Sequence, residues 1–149
     1  MEKFYEKGLE FQCKQCSWCC GNGPGVVYLS LEDLVRLCEF SKTNYVDFIK
    51  KYCRWVMYTD GNEVLALQED KQFRCILWKD GCSMYDARPV QCSTYPWWDW
   101  LCGSKEMWQE CGRTCPGIGS QKMWTKEQIE EQIKLNSNNQ PLRKDFFDF

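Results

Sequence analysis

The sequence predicts an α+β fold: a small, irregular domain with two amino-terminal helices, a β-hairpin and cysteine-bearing loops. Three observations support this prediction. Apolar residues recur at helical spacing in two early segments, β-favouring residues flank an Asp-Gly turn near residue 60, and 12 cysteines are spread over 149 residues. A chain of this length suits one compact domain. We therefore expect one domain over residues 1–135 and a tail over residues 136–149.

Two early segments predict helices. In "SLEDLVRLCEF", Ser30 and Asp33 form a helix-start box ahead of an apolar stripe. The next segment, "TNYVDFIKKYC", carries aromatic and aliphatic residues at the same spacing. Cys38 and Cys53 lie on these stripes, so we interpret them as small buried side chains and not as metal ligands.

Later segments predict a hairpin, a surface helix and a tail. "RWVMYTDGNEVLALQ" places β-favouring residues on both sides of Asp60-Gly61, a common two-residue turn. "TKEQIEEQIKLN" predicts a helix with a thin apolar face, for which Thr125 and Gln128 form the capping box. Residues 136–149 are mostly polar and predict a flexible tail, although "FFDF" at its end is suited to docking on an apolar surface.

Charge and hydropathy exclude several classes of partner. The net charge of -2, from 19 basic and 21 acidic residues, provides no broad basic field for phosphates or anionic lipids. No stretch approaches the roughly 20 apolar residues of a spanning helix. The opening "MEKFYEKGLE" is charged where a secretory signal carries its apolar segment. We expect a cytoplasmic protein that binds neither nucleic acid nor membrane.

The cysteine content points to metal or redox chemistry, because cytosolic thiols are kept reduced. A disulfide-stapled secreted domain is the alternative that the even cysteine count permits. Histidine is absent, so a soft-metal site must be built from thiolates, which favours zinc, copper(I) or iron–sulfur clusters. The absence of histidine also excludes Ser-His-Asp and Cys-His catalysis.

The cysteine spacing predicts the ligands. "CKQCSWCC" provides three cysteines at C-x2-C spacing from one loop, and the adjacent Cys20 projects away from Cys19 and is better placed for a second centre. Cys115-Pro116 is similar to the cysteine–proline step of bacterial ferredoxins. Eight predicted ligands suffice for two four-thiolate centres: Cys13, Cys16, Cys19, Cys20, Cys75, Cys82, Cys92 and Cys115. A first grouping joins Cys13, Cys16 and Cys19 at one centre and Cys75, Cys82 and Cys92 at the other, and leaves Cys20 and Cys115 open.

Several separated motifs occur together in the chain: "CKQCSWCC", "LSLEDLVRL", "CILWKDGCSMYDARPVQC" and "CPGIG". In these motifs, from Cys13 to Gly119, the chain resembles the YkgJ-like cysteine-cluster family, described as zinc- or iron-chelating. The resemblance implies that the eight cysteines bind metal, with an iron–sulfur role often suggested. Two features depart from it: Ser93, where many relatives carry arginine, and the aromatic tract "WWDWLCGSKEMWQEC" with Cys102 and Cys111.

The spacing favours an iron–sulfur centre over zinc. Zinc ribbons use two C-x2-4-C pairs, whereas this chain has one tight group followed by scattered single cysteines. The leading hypothesis is one or two [4Fe–4S] clusters that carry electrons or sense redox state for an unidentified protein partner. A zinc-stapled interaction module is the alternative. A similar cysteine motif in a flagellin lysine methylase adds a protein-modifying enzyme, against which stands the lack of a Gly-rich nucleotide-binding fingerprint.

Three further features are candidate cofactor or partner residues. The Arg88 guanidinium would offset the charge of a thiolate centre and donate hydrogen bonds to sulfur; the alternative is a surface ion pair with Asp86. Tyr85 is predicted to pack against the cysteine shell. The aromatic run Trp97–Trp100 has too many large rings to bury easily, so part of it is a candidate partner surface beside the metal.

Overall fold

The computed structural model describes residues 3–13, 26–72, 74–79, 82–113 and 115–147. Helices and small antiparallel sheets are both present, which confirms the predicted α+β class. The chain forms two compact units. Unit 1 comprises Met1–Trp18 and Thr94–Asn138, and unit 2 comprises Cys19–Ser93 and Asn139–Phe149. The domain predicted over residues 1–135 and the tail predicted over 136–149 stay predictions; among the described residues of that tail, Leu142 is buried in the core of unit 2.

The described elements follow one another in an irregular order of helices and strands. None of the described helices is both long and apolar enough to cross a membrane. In chain order the strands and helices are β1 (Leu9–Phe11), α1 (Leu31–Ser41), α2 (Tyr45–Tyr52), β2 (Cys53–Met57), β3 (Glu63–Leu67), a 3-10 turn (Tyr85–Ala87), α3 (Val90–Ser93), α4 (Lys105–Gly112), β4 (Ile118–Trp124), α5 (Lys126–Asn138) and a second 3-10 turn (Lys144–Phe147).

Local capping explains where α1 and α2 begin and end. The Ser30 hydroxyl accepts from the backbone N–H of Asp33 while the Asp33 carboxylate accepts from that of Ser30, which is the predicted capping box. Lys42 adopts a left-handed conformation (φ 54°) that ends α1. Asn44 then caps α2 by accepting from the N–H of Asp47 at 2.9 Å.

The predicted hairpin is present in unit 2 with a longer loop than expected. Strands β2 and β3 pair antiparallel from Cys53 opposite Leu67 to Met57 opposite Glu63. The connection therefore spans residues 58–62 and is not a two-residue turn. The N–H of Tyr58 donates to the carbonyl of Asn62 at 2.8 Å, and Gly61 takes the positive φ of 84° that closes the loop.

The core of unit 2 is mainly aliphatic and includes part of the carboxyl-terminal segment. The N–H of Leu142 donates to Leu29 and the N–H of Leu65 donates to Leu142, both at 2.8 Å. The ring of Phe147 stacks on Tyr45 at 5.8 Å. The cluster of buried residues consists of Leu29, Leu34, Leu37, Phe48, Cys53, Leu65, Leu67, Leu77, Met84, Ala87 and Leu142.

Unit 1 is built on the β1–β4 pair and an aromatic core. Helix α5 starts at the predicted capping box of Thr125 and Gln128 and lies largely exposed, with Ile129 buried. Trp97 stacks on Trp108 at 5.1 Å. The buried cluster consists of Tyr5, Phe11, Trp97, Cys102, Trp108, Cys115 and Ile129.

Candidate metal-binding cysteines

The structure places five of the eight predicted ligands. Cys13 is exposed, Cys115 is buried, and the other three are half-buried. Cys38, Cys53 and Cys102, which are not among the predicted ligands, are free thiols. The remaining predicted ligands, Cys16, Cys19 and Cys20, fall in residues 14–25, outside the described part of the chain.

In unit 1 the pairing of β1 with β4 places the start of the cysteine motif next to the segment that follows Cys115. Phe11 on β1 faces Ile118 on β4, and the N–H of Gln12 donates to the carbonyl of Gly117 at 3.0 Å. A β-carbon at Gly117 would overlap the carbonyl oxygen of Gln12, so this approach requires glycine. Cys13 and Cys115 therefore lie close in sequence to the two residues of one backbone contact. The sequence left the grouping of Cys115 open, and the structure places it in the same unit as Cys13.

In unit 2 the segment from Cys75 to Cys82 folds back on itself. The backbone N–H of Trp78 donates to the carbonyl of Cys75 at 2.9 Å, and Trp78 forms an antiparallel bridge with Cys82. The N–H of Ser83 then donates to Leu77 at 2.8 Å. Both cysteines pack against the core of unit 2. Two predicted ligands seven positions apart thus lie at the two ends of one closed loop.

Helix α3 carries Cys92 and is tied to the chain that leaves residues 14–25. The N–H of Cys92 donates to Pro89 at 2.9 Å. The side chain of Gln91 accepts from the N–H of Tyr28 at 2.9 Å and donates to the carbonyl of Val26 at 2.8 Å. The helix that carries Cys92 is therefore hydrogen-bonded, through the adjacent Gln91, to Val26 and Tyr28, which follow the cysteine doublet in the sequence.

Asp33 joins three parts of unit 2, a role that sequence reasoning missed. Its carboxylate is fully buried and accepts from the backbone N–H of Ser30 at 3.1 Å and of Val90, the first residue of α3, at 3.0 Å. It also accepts from Arg36 at 2.6 Å and from the Asn139 amide at 2.8 Å. The capping box indicated the first contact, but contacts with residues this distant in sequence leave no local signal.

The predicted pair Arg88 and Tyr85 lie together. The Arg88 guanidinium carbon is 3.9 Å from the centre of the Tyr85 ring, and its Nη1 donates to the Tyr85 carbonyl at 2.9 Å. Arg36 donates to the carbonyl of Arg88 at 3.0 Å. In the described part of the chain Arg88 forms no ion pair with Asp86, the alternative that the sequence left open. The guanidinium is therefore held against Tyr85.

Three cysteines have the properties of packing residues. Burial raises the pKa of Cys53 to about 12 and also raises the pKa of Cys38, while burial raises the pKa of Cys102 to about 12. Cys53 belongs to the core of unit 2 and Cys38 packs against it, which supports their interpretation as packing residues. The sulfur of Cys111 lies 2.8 Å from the Tyr95 hydroxyl; burial raises its pKa and this hydrogen bond opposes the shift.

The aromatic run Trp97–Trp100 divides between core and surface. Trp97 is 1% exposed and belongs to the core of unit 1. Trp100 is 60% exposed. Trp98 is half-buried and lies between Tyr95 (5.0 Å) and Trp100 (6.2 Å). The candidate surface is thereby reduced to Trp98 and Trp100.

The described side chains do not form a complete metal site by themselves. Over the ranges that the structure describes, no three cysteine, aspartate or glutamate side chains converge closely enough to hold an ion, and this includes Cys75, Cys82 and Cys92. A four-thiolate centre would therefore also draw ligands from residues 14–25. The described residues leave three buried side-chain polar atoms without a hydrogen-bond partner: Trp78 Nε1, Trp97 Nε1 and Ser120 Oγ. Two of these atoms are indole N–H donors, one in each unit.

Comparison with known proteins adds no assignment. Neither a protein-family model nor a solved structure matches the chain. Membership of the YkgJ-like family therefore stays a prediction from the motifs.

Proposed function

We propose that the protein binds metal through its cysteines, most favourably as an iron–sulfur protein that transfers electrons or senses redox state in the cytoplasm. The observation that carries the proposal is the backbone contact between Gln12 and Gly117. It joins the start of the cysteine motif to a cysteine about a hundred positions further along the chain. A contact of this kind between residues next to two predicted ligands supports a shared centre.

The ligand set follows the two units. Cys13 and Cys115 would serve a centre in unit 1. Because Cys75, Cys82 and Cys92 do not converge among the described residues, at most two of these three would serve a centre in unit 2. Cys16, Cys19 and Cys20 would supply the remaining donors. Four thiolates suit both Zn²⁺ and a [4Fe–4S] cluster. When bound, such a cluster supplies reversible one-electron transfer.

The residues around unit 2's cysteines suit an anionic centre. The Arg88 guanidinium is fixed on Tyr85, and Arg36 holds the Arg88 carbonyl, so this positive charge has a fixed place on the stretch of chain that runs from Cys82 to Cys92. A fixed cation near four thiolates lowers the electrostatic cost of gathering negative charge. The support for metal binding thus includes the charge around the cysteines as well as their spacing.

Trp98 and Trp100 suit the partner role that this proposal needs. Exposed indole rings are frequent anchors in protein interfaces. Trp100 is exposed and is backed by Trp98, which in turn packs on Tyr95, the residue hydrogen-bonded to Cys111. We propose this surface as the contact for the redox partner.

Anaerobic purification tests the proposal directly. Absorbance, electron paramagnetic resonance and elemental analysis would be recorded on the same sample. A brown protein with bound iron and visible absorption supports the iron–sulfur function. A colourless protein with stoichiometric zinc supports the zinc-stapled alternative. A folded protein with neither metal would refute both.

A further inference from the structure

A row of four side chains in unit 1 leads from the surface to a half-buried thiol: Trp100, Trp98, Tyr95 and Cys111. The ring centres of Trp100 and Trp98 are 6.2 Å apart, and those of Trp98 and Tyr95 are 5.0 Å apart. The Tyr95 hydroxyl lies 2.8 Å from the sulfur of Cys111. Trp100 is 60% exposed, whereas the other three are half-buried. Each member therefore neighbours the next, and Trp100 is the member most open to solvent.

The members of the row are attached to well-packed parts of unit 1. The carbonyl of Trp98 accepts from the backbone N–H of Cys102, a core residue, at 2.9 Å. Tyr95 packs against the same aromatic core. Cys111 lies in the last turn of α4, and Trp108 on that helix belongs to the core as well. The separations within the row are therefore set by the packing of unit 1.

All four side chains can be oxidised by one electron. Indole and phenol rings lose an electron more easily than any other aromatic side chain, and a thiol does so at a similar potential when its proton leaves with the electron. The phenyl ring of phenylalanine is not oxidised under the same conditions. Electrons pass rapidly between rings in or near contact, and aromatic pairs interact at centre separations of about 4.5–7 Å. The composition and spacing of the row therefore suit the conduction of an electron.

We propose that the row conducts one electron from Cys111 to a one-electron oxidant that meets the protein at Trp100. The oxidant removes an electron from the Trp100 indole, and electrons follow from Trp98 to Trp100 and from Tyr95 to Trp98. The oxidised Tyr95 phenol releases its proton to water. The S–H bond of Cys111 then breaks as its hydrogen atom moves to the Tyr95 oxygen, across a contact in which either atom can donate. One electron and one proton leave in total, both from Cys111, which ends as a thiyl radical.

This electron path is separate from the proposed metal binding. None of its four members is a predicted metal ligand, and each of its steps joins two side chains at a distance given above. The neighbouring Asp99 is exposed and adds a negative charge next to Trp100 in the sequence, which favours the approach of a cationic oxidant. A cationic metal complex is therefore the probe of choice.

The test uses a ruthenium(III) tris-bipyridine complex, generated by a light flash with a cobalt(III) ammine as electron acceptor. The protein is illuminated without oxygen in the presence of a nitrone spin trap, and mass spectrometry quantifies the adduct on the peptide that contains Cys111. Trp98→Phe interrupts the row with a ring that is not oxidised, whereas Trp98→Tyr replaces the indole with a ring that is. Trp55→Phe is the matched control, because Trp55 is a half-buried indole in unit 2, outside the row.

We expect a Cys111 adduct in the wild type and in Trp55→Phe, its loss to near the unilluminated level in Trp98→Phe, and its recovery in Trp98→Tyr. Tyr95→Phe removes the acceptor of the hydrogen atom and should lose the adduct as well. An adduct that persists in Trp98→Phe would show that the oxidant reaches Cys111 directly and would refute the path. Equal loss in both Trp98 variants, or no adduct in the wild type, would also refute it. Metal content of the same samples reports the proposed function separately.

Discussion

The buried cores of the two units differ in composition. Unit 2 buries a row of leucines, Phe48 and Met84, and adds the buried carboxylate of Asp33, which joins α1, α3 and the carboxyl-terminal segment. The described core of unit 1 is smaller, dominated by aromatic rings, and contains two cysteines. Small cores commonly need a metal or disulfide to hold them. Under the proposed metal binding, we expect unit 1 to depend on the metal more than unit 2 does.

Metal removal should therefore destabilise unit 1 and leave unit 2 folded, and this is the largest effect we expect. A structural four-thiolate site can contribute about 10–16 kcal/mol to folding. After chelation, amide hydrogen exchange should become fast in residues 94–138 while residues 29–67 keep their protection. Equal loss of protection in both units would contradict the comparison.

A substitution that opens a cavity in the core of unit 2 tests whether this unit depends on its apolar core. Phe48 is fully buried, so Phe48→Ala should lower the free energy of unfolding by about 3–5 kcal/mol. Phe40, 47% exposed on α1, is the matched control, and Phe40→Ala should change the stability by less than about 0.5 kcal/mol. Urea unfolding of the metal-free protein measures both. Similar losses in the two variants would show that unit 2 does not depend on its apolar core.

Asp33→Asn tests the polar anchor of unit 2. The variant leaves Arg36 without its buried carboxylate and weakens the bond to Val90, so we expect a loss of about 3 kcal/mol and faster amide exchange in α3. Glu32, exposed in the same helical turn, provides the control Glu32→Gln, with little change expected. Unchanged exchange at Val90 in Asp33→Asn would refute the anchoring role.

The buried thiols predict a smaller effect that depends on pH. The pKa of Cys53 in unit 2 and of Cys102 in unit 1 is raised to about 12 from the ordinary 9.0, so each favours the folded state below pH 9 and loses that contribution as pH rises toward 12. Alkylation followed by mass spectrometry at pH 8 and pH 10 should label both thiols only after unfolding. Labelling of Cys102 in the folded protein as fast as in the unfolded protein would contradict the buried assignment.

Elements specified by neighbouring residues could be predicted from the sequence. The boxes at Ser30 and Thr125 act over three positions, and the helices start where these residues predict. The hairpin was predicted from its β-favouring residues, but its loop length was not, because Asp60-Gly61 is compatible with several loops. The return of Leu142 to the unit 2 core had no local signal in a polar segment.

Only part of the candidate site could be predicted from the sequence. Spacing selected Cys38 and Cys53 as packing residues, and their burial supports it. The assignment of Cys115 to the unit of Cys13 depended on strand pairing between distant segments, which spacing does not specify. The burial of Trp97 follows from its stacking on Trp108, a contact that the aromatic run alone does not predict.

The most direct test of the account is the metal content of matched cysteine variants, measured per chain in anaerobically purified protein. The account predicts that Cys13→Ser and Cys82→Ser each lose iron or zinc relative to wild type, whereas Cys53→Ser, a change at a buried packing thiol, retains the full amount. Equal metal in all four proteins, or no metal in the wild type, would contradict it.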